Sequence, residues 1–139
     1  MENRPSPLSQ IKTSPISIFK KNTGVLASIE TVKDISWPVE RIFFISSEFP
    51  EERGNHAHKT CKQIFVCISG KVAIMCKDGE TEKEFHLAGL GNNLYVPPGI
   101  WVNLRMESNT AIAVITDQVY DELDYMRNWD EYLTFRASK

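Results

Sequence analysis

Two histidines stand one residue apart in the segment RGNHAHKTCKQIFVCISG, which covers residues 53–70. In an extended chain successive side chains point to opposite faces, so residues two apart share one face. His56 and His58 can therefore aim their imidazoles into a single cavity. Imidazole takes and gives a proton near neutral pH, and it is also a common metal ligand. The spacing predicts either an acid–base pair or two ligands of a metal site.

Nine short runs rich in Val, Ile and Phe are separated by turn sequences along the chain. The runs are ISIF, VLASIE, RIFFIS, QIFVCIS, KVAIMCK, KEFHLAG, NNLYVPP, VNLRM and AIAVIT. Turn signals fall at Ser69-Gly70, Asp78-Gly79, Gly91-Asn92-Asn93 and Pro97-Pro98-Gly99. This pattern predicts an all-β fold, either a sandwich or a small jelly-roll barrel. The tail VYDELDYMRNWDEYLTF has aromatic residues at roughly helical spacing, which predicts short helical turns packed over the barrel.

Composition limits both the number of domains and the kind of partner. The chain has 139 residues, 42% of them hydrophobic, and a net charge of −2. These values suit one domain and give no electrostatic support for a nucleic-acid partner. We expect a single domain over residues 14–139 and a flexible or partner-docked tail over residues 1–13. Without an apolar run of roughly 20 residues or an apolar N-terminal signal, we expect no membrane partner and a cytoplasmic location.

The strand pattern and the histidine pair resemble the cupin superfamily. The usual cupin metal pattern adds a Glu a few residues after the second histidine and another His soon after a later PxG turn. Gln63 and Val102 occupy those two places here. Gln binds a transition metal weakly and Val not at all, so the pair is expected to be free of tightly bound metal and to carry protons. The three cysteines lack CxxC spacing, which favours buried thiols over a zinc site.

A narrower resemblance covers about residues 16–135. It rests on the segments RIFFIS, RGNHAHKTCKQIFVCISGKVAI, NNLYVPPGIW and VYDELDYMRNWDEYLTF. Together these segments resemble the small cupins that act as dTDP-4-keto-6-deoxyglucose 3,4-ketoisomerases. The resemblance implies a homodimeric jelly roll, commonly with N-terminal strands exchanged between subunits, that binds a dTDP-linked ketosugar and needs no metal or organic cofactor. It also implies that the product feeds an aminotransferase making a 3-amino-3,6-dideoxysugar for a bacterial surface glycan such as O-antigen.

The implied reaction moves a ketone from C4 to C3 of the sugar. It requires removal of the C3 proton, stabilisation of an enediol or enediolate, and delivery of a proton to C4. His58 and His56 are the catalytic candidates by motif match. We expect His58 to be the proton shuttle and His56 to orient the substrate or act as a second acid, and the order between the two stays open.

Substrate contacts are expected from two arginines and a tryptophan. Arg53 offers a planar fork of donors to a diphosphate or to a developing oxyanion. Arg41 begins a strand and could reach a phosphate. Trp101 follows the Pro-Pro-Gly turn and could stack on thymine or on the hexose. The alternatives are solvent-exposed arginines and an aromatic plug in the core.

Several positions in the presumed substrate site depart from the implied pattern. Val102 stands where relatives carry His or Arg, Thr23 where Arg or Tyr precedes a glycine, and Phe43 or Phe44 where a tyrosine is common. Arg105 could replace the missing cation if it points inward. These changes leave two main functional classes open: an isomerase, with usual or altered substrate or product stereochemistry, and a non-catalytic nucleotide-sugar-binding cupin. A metal-dependent cupin enzyme is a third alternative.

Overall fold

The computed structural model describes residues 8–138 and arranges them mainly in two β-sheets. The strands in this range are β1 (Lys12–Pro15), β2 (Ser17–Lys21), β3 (Gly24–Ser28), β4 (Arg41–Ser47), β5 (Glu51–His58), β6 (Gln63–Ser69), β7 (Lys71–Lys77), β8 (Glu82–Ala88), β9 (Asn92–Val96), β10 (Trp101–Met106), β11 (Thr110–Thr116) and β12 (Tyr125–Met126). The α-helices are α1 (Thr31–Asp34) and α2 (Trp129–Ser138), and 3₁₀ turns cover Leu8–Gln10 and Glu122–Asp124. Within residues 8–138 the helices are too short to cross a membrane.

The two main sheets have the connectivity of a jelly roll. The first sheet has the strand order β1-β9-β6-β11-β4, and the second has the order β12-β5-β10-β7-β8. Neighbouring strands are antiparallel, and from β4 to β7 and from β8 to β12 each successive strand changes sheet. The predicted all-β, cupin-type jelly roll is confirmed as a two-layered sandwich.

The core lies between the inward faces of the sheets. Phe65 and Val114 contribute from the first sheet, and Ile74 and Leu104 contribute from the second. Strand β7 shows how the sequence selects this face, because its residues alternate between buried and less buried positions. Burial of each large aliphatic side chain stabilises the fold by roughly 1.5–3 kcal/mol.

All nine predicted runs contribute to strands, but the C-terminal tail is more varied than its aromatic spacing predicted. It is helical in the turn Glu122–Asp124 and in α2, so the predicted helical turns are present. Between them, β12 pairs with Ala57 and His58 at the end of β5. The free edge of β5 offers unpaired backbone groups, and pairing with them outweighs the helical spacing in this short stretch.

Part of the predicted N-terminal tail already belongs to the fold. β1 begins at Lys12 and pairs with β9, and Ile11 is buried beneath it. The sheet therefore starts before residue 14, where the domain was expected to begin. Residues 1–7 of the predicted tail lie outside the described residues.

Strands β2 and β3 form a separate two-stranded sheet. Phe19 and Leu26, which face each other across its register, are 69% and 59% exposed. Thr23 lies in the turn that joins the two strands. Solvent-exposed apolar residues concentrated on one hairpin indicate a surface that another element can cover.

Candidate active site

Strand β5 carries both histidines and is irregular just before them. Gly54 and Asn55 have positive φ angles of 97° and 58°. The register with β10 shifts at this point, since Val102 pairs with His56 whereas Asn103 pairs with Gly54. Asn55 is therefore the extra residue of a β-bulge.

The bulge determines which side chains of β5 reach the space between the sheets. Arg53 pairs with Leu104 and His56 pairs with Val102, and both partners belong to the inward-facing core. Residues three apart in a regular strand would point to opposite faces. The inserted residue brings Arg53 and His56 to the same face, and His58 follows on that face two residues later.

A buried carboxylate fixes the orientation of His58. The Nδ1 atom of His58 lies 2.9 Å from Oδ2 of Asp124. The other carboxylate oxygen of Asp124 accepts hydrogen bonds from the backbone N–H and the hydroxyl of Thr60, both at 2.8 Å. An ionised carboxylate only accepts hydrogen bonds, so the network assigns the imidazole proton to Nδ1. The Nε2 atom is left without a proton, buried and without a hydrogen-bond partner among the described residues.

His56 stands beside His58, and their ring centroids are 5.3 Å apart in an edge-to-face arrangement. The Nδ1 atom of His56 is also buried without a hydrogen-bond partner in the described part of the chain. Tyr125 of β12 packs against both imidazoles, with centroid distances of 5.0 Å to His56 and 4.3 Å to His58. The pairing of β12 with β5 thus holds an aromatic ring against the histidine pair.

The pKa values of both imidazoles lie below the ordinary value of 6.5. Burial, followed by the nearby His58, lowers the pKa of His56 to about 4. Burial also lowers the pKa of His58, although the Asp124 carboxylate acts in the opposite direction. Both rings are therefore neutral near pH 7. A neutral imidazole with a free Nε2 is suited to act as a base, and His58 meets this requirement.

A cavity of about 500 Å³ lies against this end of the inner face. Its lining includes Arg41, Phe43, Arg53, His56, Gln63, Val102, Tyr125 and Arg127. Cavities of about 480 and 530 Å³ occur elsewhere in residues 8–138, so volume does not distinguish the site. The first of them contains no histidine and the second contains only His86. The cavity beside β5 differs from both in its three arginines and in the buried, unpartnered Nδ1 atom of its imidazole, His56.

Three arginines among the described residues line this cavity: Arg41, Arg53 and Arg127. Arg53 is paired with Glu51 at 3.0 Å, and Arg127 donates two hydrogen bonds to Glu122 at 2.8 and 3.0 Å. The side chains of Arg53 and Arg127 are 46% and 51% exposed, so an anion in the cavity can replace these carboxylates as their partner. Planar guanidinium groups at a cavity mouth suit a diphosphate.

Two candidates from the sequence, Trp101 and Arg105, lie on the other face of β10. Val102 and Leu104 face the core, so their odd-numbered neighbours point outward. Trp101 packs against α2, and Arg105 pairs with Glu84 on the outer surface. Because neither side chain lines the cavity of His56, we do not assign a substrate contact to them in this chain.

The remaining candidates from the sequence also differ in whether they line the cavity. Val102 and Phe43 line the cavity and present only apolar atoms to it, whereas Phe44 is 70% exposed at its margin. Thr23 lies in the β2–β3 turn and is not part of the lining in this chain. The structure thus brings Arg41, Arg53 and Val102 to the cavity of His56, and it leaves Thr23 apart from them. His58 lines a smaller void that shares Arg41 and Tyr125 with this cavity.

The residues at the cupin metal positions do not fit a metal ion. Gln63 and Val102 line the same cavity as His56, so the corresponding positions meet in space. However, Val102 is 2% exposed within the apolar core and has no donor atom, and an amide is a poor ligand for zinc. Two imidazoles alone are left, and we derive no catalytic step through a metal.

Asp124, Tyr125 and Arg127 are site residues that the sequence patterns did not reveal. All three lie in YDELDYMR, whose aromatic spacing was interpreted as helical packing. The same motif was part of the family resemblance, and its alternation of acids, tyrosines and an arginine was the available signal. Only the pairing of β12 with β5 shows that these side chains reach the histidines.

A jelly roll with a buried His–Asp pair, a second imidazole and an arginine-lined cavity is suited to a cupin-type enzyme that transfers protons on a small molecule. Comparison with known proteins narrows this class. The sequence profile of the FdtA family, described as WxcM-like, C-terminal, matches residues 9–137, and the chain belongs to this family. The chain is 34% identical over 124 residues to TDP-4-oxo-6-deoxy-alpha-D-glucose-3,4-oxoisomerase of Aneurinibacillus thermoaerophilus, covering 86% of this chain and 89% of the relative.

Solved structures agree with the family assignment. A mutant of the 3,4-ketoisomerase QdtA from Thermoanaerobacterium thermosaccharolyticum, in complex with TDP-4-keto-6-deoxyglucose, aligns with a TM-score of 0.86 and 27% identity over 94% of this chain and 96% of that chain. A 3,4-ketoisomerase from Helicobacter canadensis aligns with a TM-score of 0.84 and 27% identity over 92% and 98% of the two chains. The resemblance to 3,4-ketoisomerases indicated by the motifs is confirmed.

Proposed function

We propose that this protein is a metal-independent 3,4-ketoisomerase that acts on a dTDP-4-keto-6-deoxyhexose in dideoxyaminosugar biosynthesis. The observation that carries this proposal is the buried His58–Asp124 pair, which leaves Nε2 of His58 free as a base beside an arginine-lined cavity. The named 3,4-oxoisomerase relative and the TDP-4-keto-6-deoxyglucose complex of QdtA support the substrate class.

The free Nε2 atom of His58 takes the proton from C3 of the bound sugar. The electrons of that C–H bond form a C3–C4 double bond, and the C4 carbonyl oxygen becomes an enediolate oxygen. The imidazolium that forms on His58 is stabilised by its Nδ1 hydrogen bond to Asp124. Two hydrogen bonds from Thr60 stabilise the negative charge of the Asp124 carboxylate.

The second half of the reaction returns the proton on the neighbouring carbon. A proton passes from O3 to O4, and the imidazolium of His58 then protonates C4 while the ketone forms at C3. We assign the transfer between the two oxygens to His56, because its neutral imidazole stands beside that of His58. One base can serve both carbons, since C3 and C4 are adjacent.

The arginines supply binding and orientation. Arg41, Arg53 and Arg127 would hold the diphosphate, so that the hexose enters the cavity with C3 toward the histidines. The binding energy from contacts with the diphosphate fixes the position of C3 and C4, which carry no charge of their own.

We also propose that the enzyme works in the cytoplasm as a homodimer. The β2–β3 hairpin forms its own small sheet and exposes Phe19 and Leu26. A second copy of the chain is the occupant that the family resemblance implies, through exchange of N-terminal strands. Under this arrangement Thr23 would belong to the site of the second copy.

Product formation from TDP-4-keto-6-deoxyglucose tests the proposed activity. Proton NMR should show conversion to a 3-keto-6-deoxy product, and the coupling constants of H4 give its stereochemistry. Calorimetry with TDP serves as a control for an intact binding site. If the protein binds TDP but forms no 3-keto product of either C4 configuration from TDP-4-keto-6-deoxyglucose, the isomerase proposal is wrong and the non-catalytic nucleotide-sugar-binding cupin is favoured.

A further inference from the structure

Cys61 lies next to the His58–Asp124 pair, and the proposed reaction does not use it. An imidazole nitrogen of His58, the Sγ atom of Cys61 and a carboxylate oxygen of Asp124 all lie within 4.8 Å of one another, and Nδ1 is the nitrogen that faces Asp124. The three residues are between 6% and 8% exposed. Imidazole, thiolate and carboxylate are the three ligand types that zinc accepts in proteins.

A small void adjoins these side chains. It has a volume of about 10 Å³, and its lining includes His58, Cys61 and Asp124 together with Gln63 and Thr116. A space of roughly 10–15 Å³ is about what one water molecule requires. The void is therefore of the size of a single small ion or water, and too small for a sugar.

The ligand atoms stand near the separations that a zinc ion requires. Tetrahedral bonds of about 2.0–2.3 Å place ligand atoms roughly 3.5 Å apart. The distance between Nδ1 of His58 and Oδ2 of Asp124 is 2.9 Å, which is shorter than this value. The separations among the three ligand atoms extend to at most 4.8 Å, which is longer. Shifts on the order of 1 Å would complete three corners of a tetrahedron, with water as the fourth ligand.

We propose that His58, Cys61 and Asp124 form an inhibitory site for a thiophilic divalent cation such as Zn²⁺. The ion would bind Nδ1 of His58, on the side of the ring that faces Asp124. This position differs from the cupin metal position, which is built from His56, His58, Gln63 and Val102 around the substrate cavity.

Binding of the ion releases one proton to solvent and moves another within the imidazole of His58. The thiol of Cys61 releases its proton to solvent, and the sulfur becomes a thiolate ligand. The ion takes the place of the proton on Nδ1 of His58, and the neutral imidazole carries its proton on Nε2 instead. Thiolate and carboxylate together supply two negative charges to the dication. Two further charges lie nearby and have opposite effects on a bound cation. The Asp117 carboxylate near Cys61 favours the cation, and the Arg41 guanidinium near His58 disfavours it.

The change of tautomer explains the inhibition, which rests on the proposed function of His58 as base. With a proton on Nε2, the ring cannot accept the C3 proton of the sugar. The substrate cavity itself stays open, so the ion should lower kcat and leave the affinity for TDP unchanged. Binding of the ion does not depend on the proposed activity.

Titration of the metal-free protein with Co²⁺ alone tests the site without any substrate. One equivalent of Co²⁺ should produce a thiolate-to-cobalt charge-transfer band in the near ultraviolet and the intense visible bands of tetrahedral cobalt. Cys61→Ala should abolish the charge-transfer band. Cys76→Ala is the matched control, because it removes another buried thiol from the same sandwich and should keep the band.

Inhibition by Zn²⁺ provides the second readout. The metal-free Cys61→Ala variant should keep ketoisomerase activity within about twofold, since Cys61 takes no part in the reaction. It should require at least about tenfold more Zn²⁺ for half inhibition, given that even outer-shell partners typically contribute 10- to 100-fold to metal affinity. Cys76→Ala should respond to Zn²⁺ like the wild type.

The outcomes separate this site from the proposed activity. Absence of a charge-transfer band in the wild-type protein overturns the metal site and needs no variant to fold. Persistence of the band in Cys61→Ala, or equal Zn²⁺ inhibition of Cys61→Ala and wild type, also overturns it. A Cys61-dependent band in a protein without ketoisomerase activity supports the metal site and contradicts the proposed function.

Discussion

At the residue level, the proposed proton transfer depends on which nitrogen of His58 carries the proton. Thr60 donates two hydrogen bonds to Asp124, and Asp124 accepts a third from the Nδ1 proton of His58. This short chain of hydrogen bonds leaves Nε2 available as a base. Removing the negative charge from Asp124 should therefore affect catalysis far more than substrate binding.

Asp124→Asn should lower kcat by about 10²- to 10⁴-fold with TDP affinity unchanged, because the amide can donate to Nδ1 and so favour the proton on Nε2. Steady-state kinetics and calorimetry with TDP measure the two quantities. Asp121→Asn is the matched control, since Asp121 is an exposed carboxylate that caps the same 3₁₀ turn. Wild-type kcat in Asp124→Asn would contradict the assigned role.

The dependence of activity on pH follows from the lowered pKa of His58. The base must be neutral, so kcat/KM should rise with pH and level off above a midpoint that lies below 6.5. Asp124 raises the pKa of His58 against the effect of burial, so Asp124→Asn should move the titration of His58 to lower pH. NMR titration of the imidazole carbon-bound protons measures this shift directly. An upward shift in the variant would be inconsistent with the charge of Asp124.

The histidine pair was predictable from sequence, but its carboxylate partner was not. The spacing of His56 and His58 places them on one face in any extended strand. Asp124 is separated from His58 by 66 positions, and the contact exists only because β12 docks on β5. Long-range pairing of this kind leaves no periodic signal in the chain.

At the level of elements, the bulge in β5 decides whether Arg53 can serve the same cavity as the histidines. Asn55 is the inserted residue, and it occupies the left-handed region with φ 58°. Gly54 has no room for a side chain, because an added Cβ would lie 2.9 Å from the carbonyl oxygen of Val102. Gly54 and Asn55 therefore both suit the bulged backbone that directs Arg53 into the cavity.

Asn55→Val should disfavour the left-handed conformation that the bulge requires, because a β-branched residue rarely adopts positive φ. If the strand becomes regular, Arg53 and His56 are three residues apart on opposite faces, and Arg53 turns away from the cavity. We expect KM to rise about 10- to 100-fold, the loss of a charge-assisted contact of roughly 1.5–3 kcal/mol, with a smaller change in kcat. Arg53→Ala should give a similar KM. Asn55→Gly should behave like the wild type, because glycine adopts positive φ readily. A folded Asn55→Val variant with wild-type KM would show that the bulge does not direct Arg53 into the cavity.

Strand parity also explains why Trp101 and Arg105 do not line the cavity of His56. The sequence predicts a place in the substrate site for Val102 and for both Trp101 and Arg105. Residues an odd number apart in a strand face opposite sides, so Val102 cannot share a face with either of them in the regular strand β10. Nine of the twelve strands among the described residues were predictable, because their apolar residues are confined to short runs between turns. The bulge was not, because the register between two strands determines it.

At the level of the whole molecule, the exposed hairpin predicts association with a second copy. Light scattering after size exclusion should give twice the mass of one chain. Phe19→Glu should shift the protein toward the monomer, because it places a charge on the apolar hairpin. Val32→Glu is the matched control, since Val32 is 98% exposed on α1.

A monomeric wild-type protein, or equal dimer fractions in Phe19→Glu and Val32→Glu, would contradict a dimer built through β2 and β3. The oligomeric state could be expected from sequence only through the family resemblance. An exposed apolar residue has the same sequence signature whether a partner covers it or not.

Deuterium exchange at C3 of TDP-4-keto-6-deoxyglucose tests most directly whether His58 removes a proton. In D₂O the wild-type protein should place deuterium at C3, followed as loss of the H3 signal by proton NMR. His58→Asn should show no exchange above the protein-free rate while it still binds TDP. Exchange at the wild-type rate in His58→Asn would contradict the role of the His58–Asp124 pair as the catalytic base.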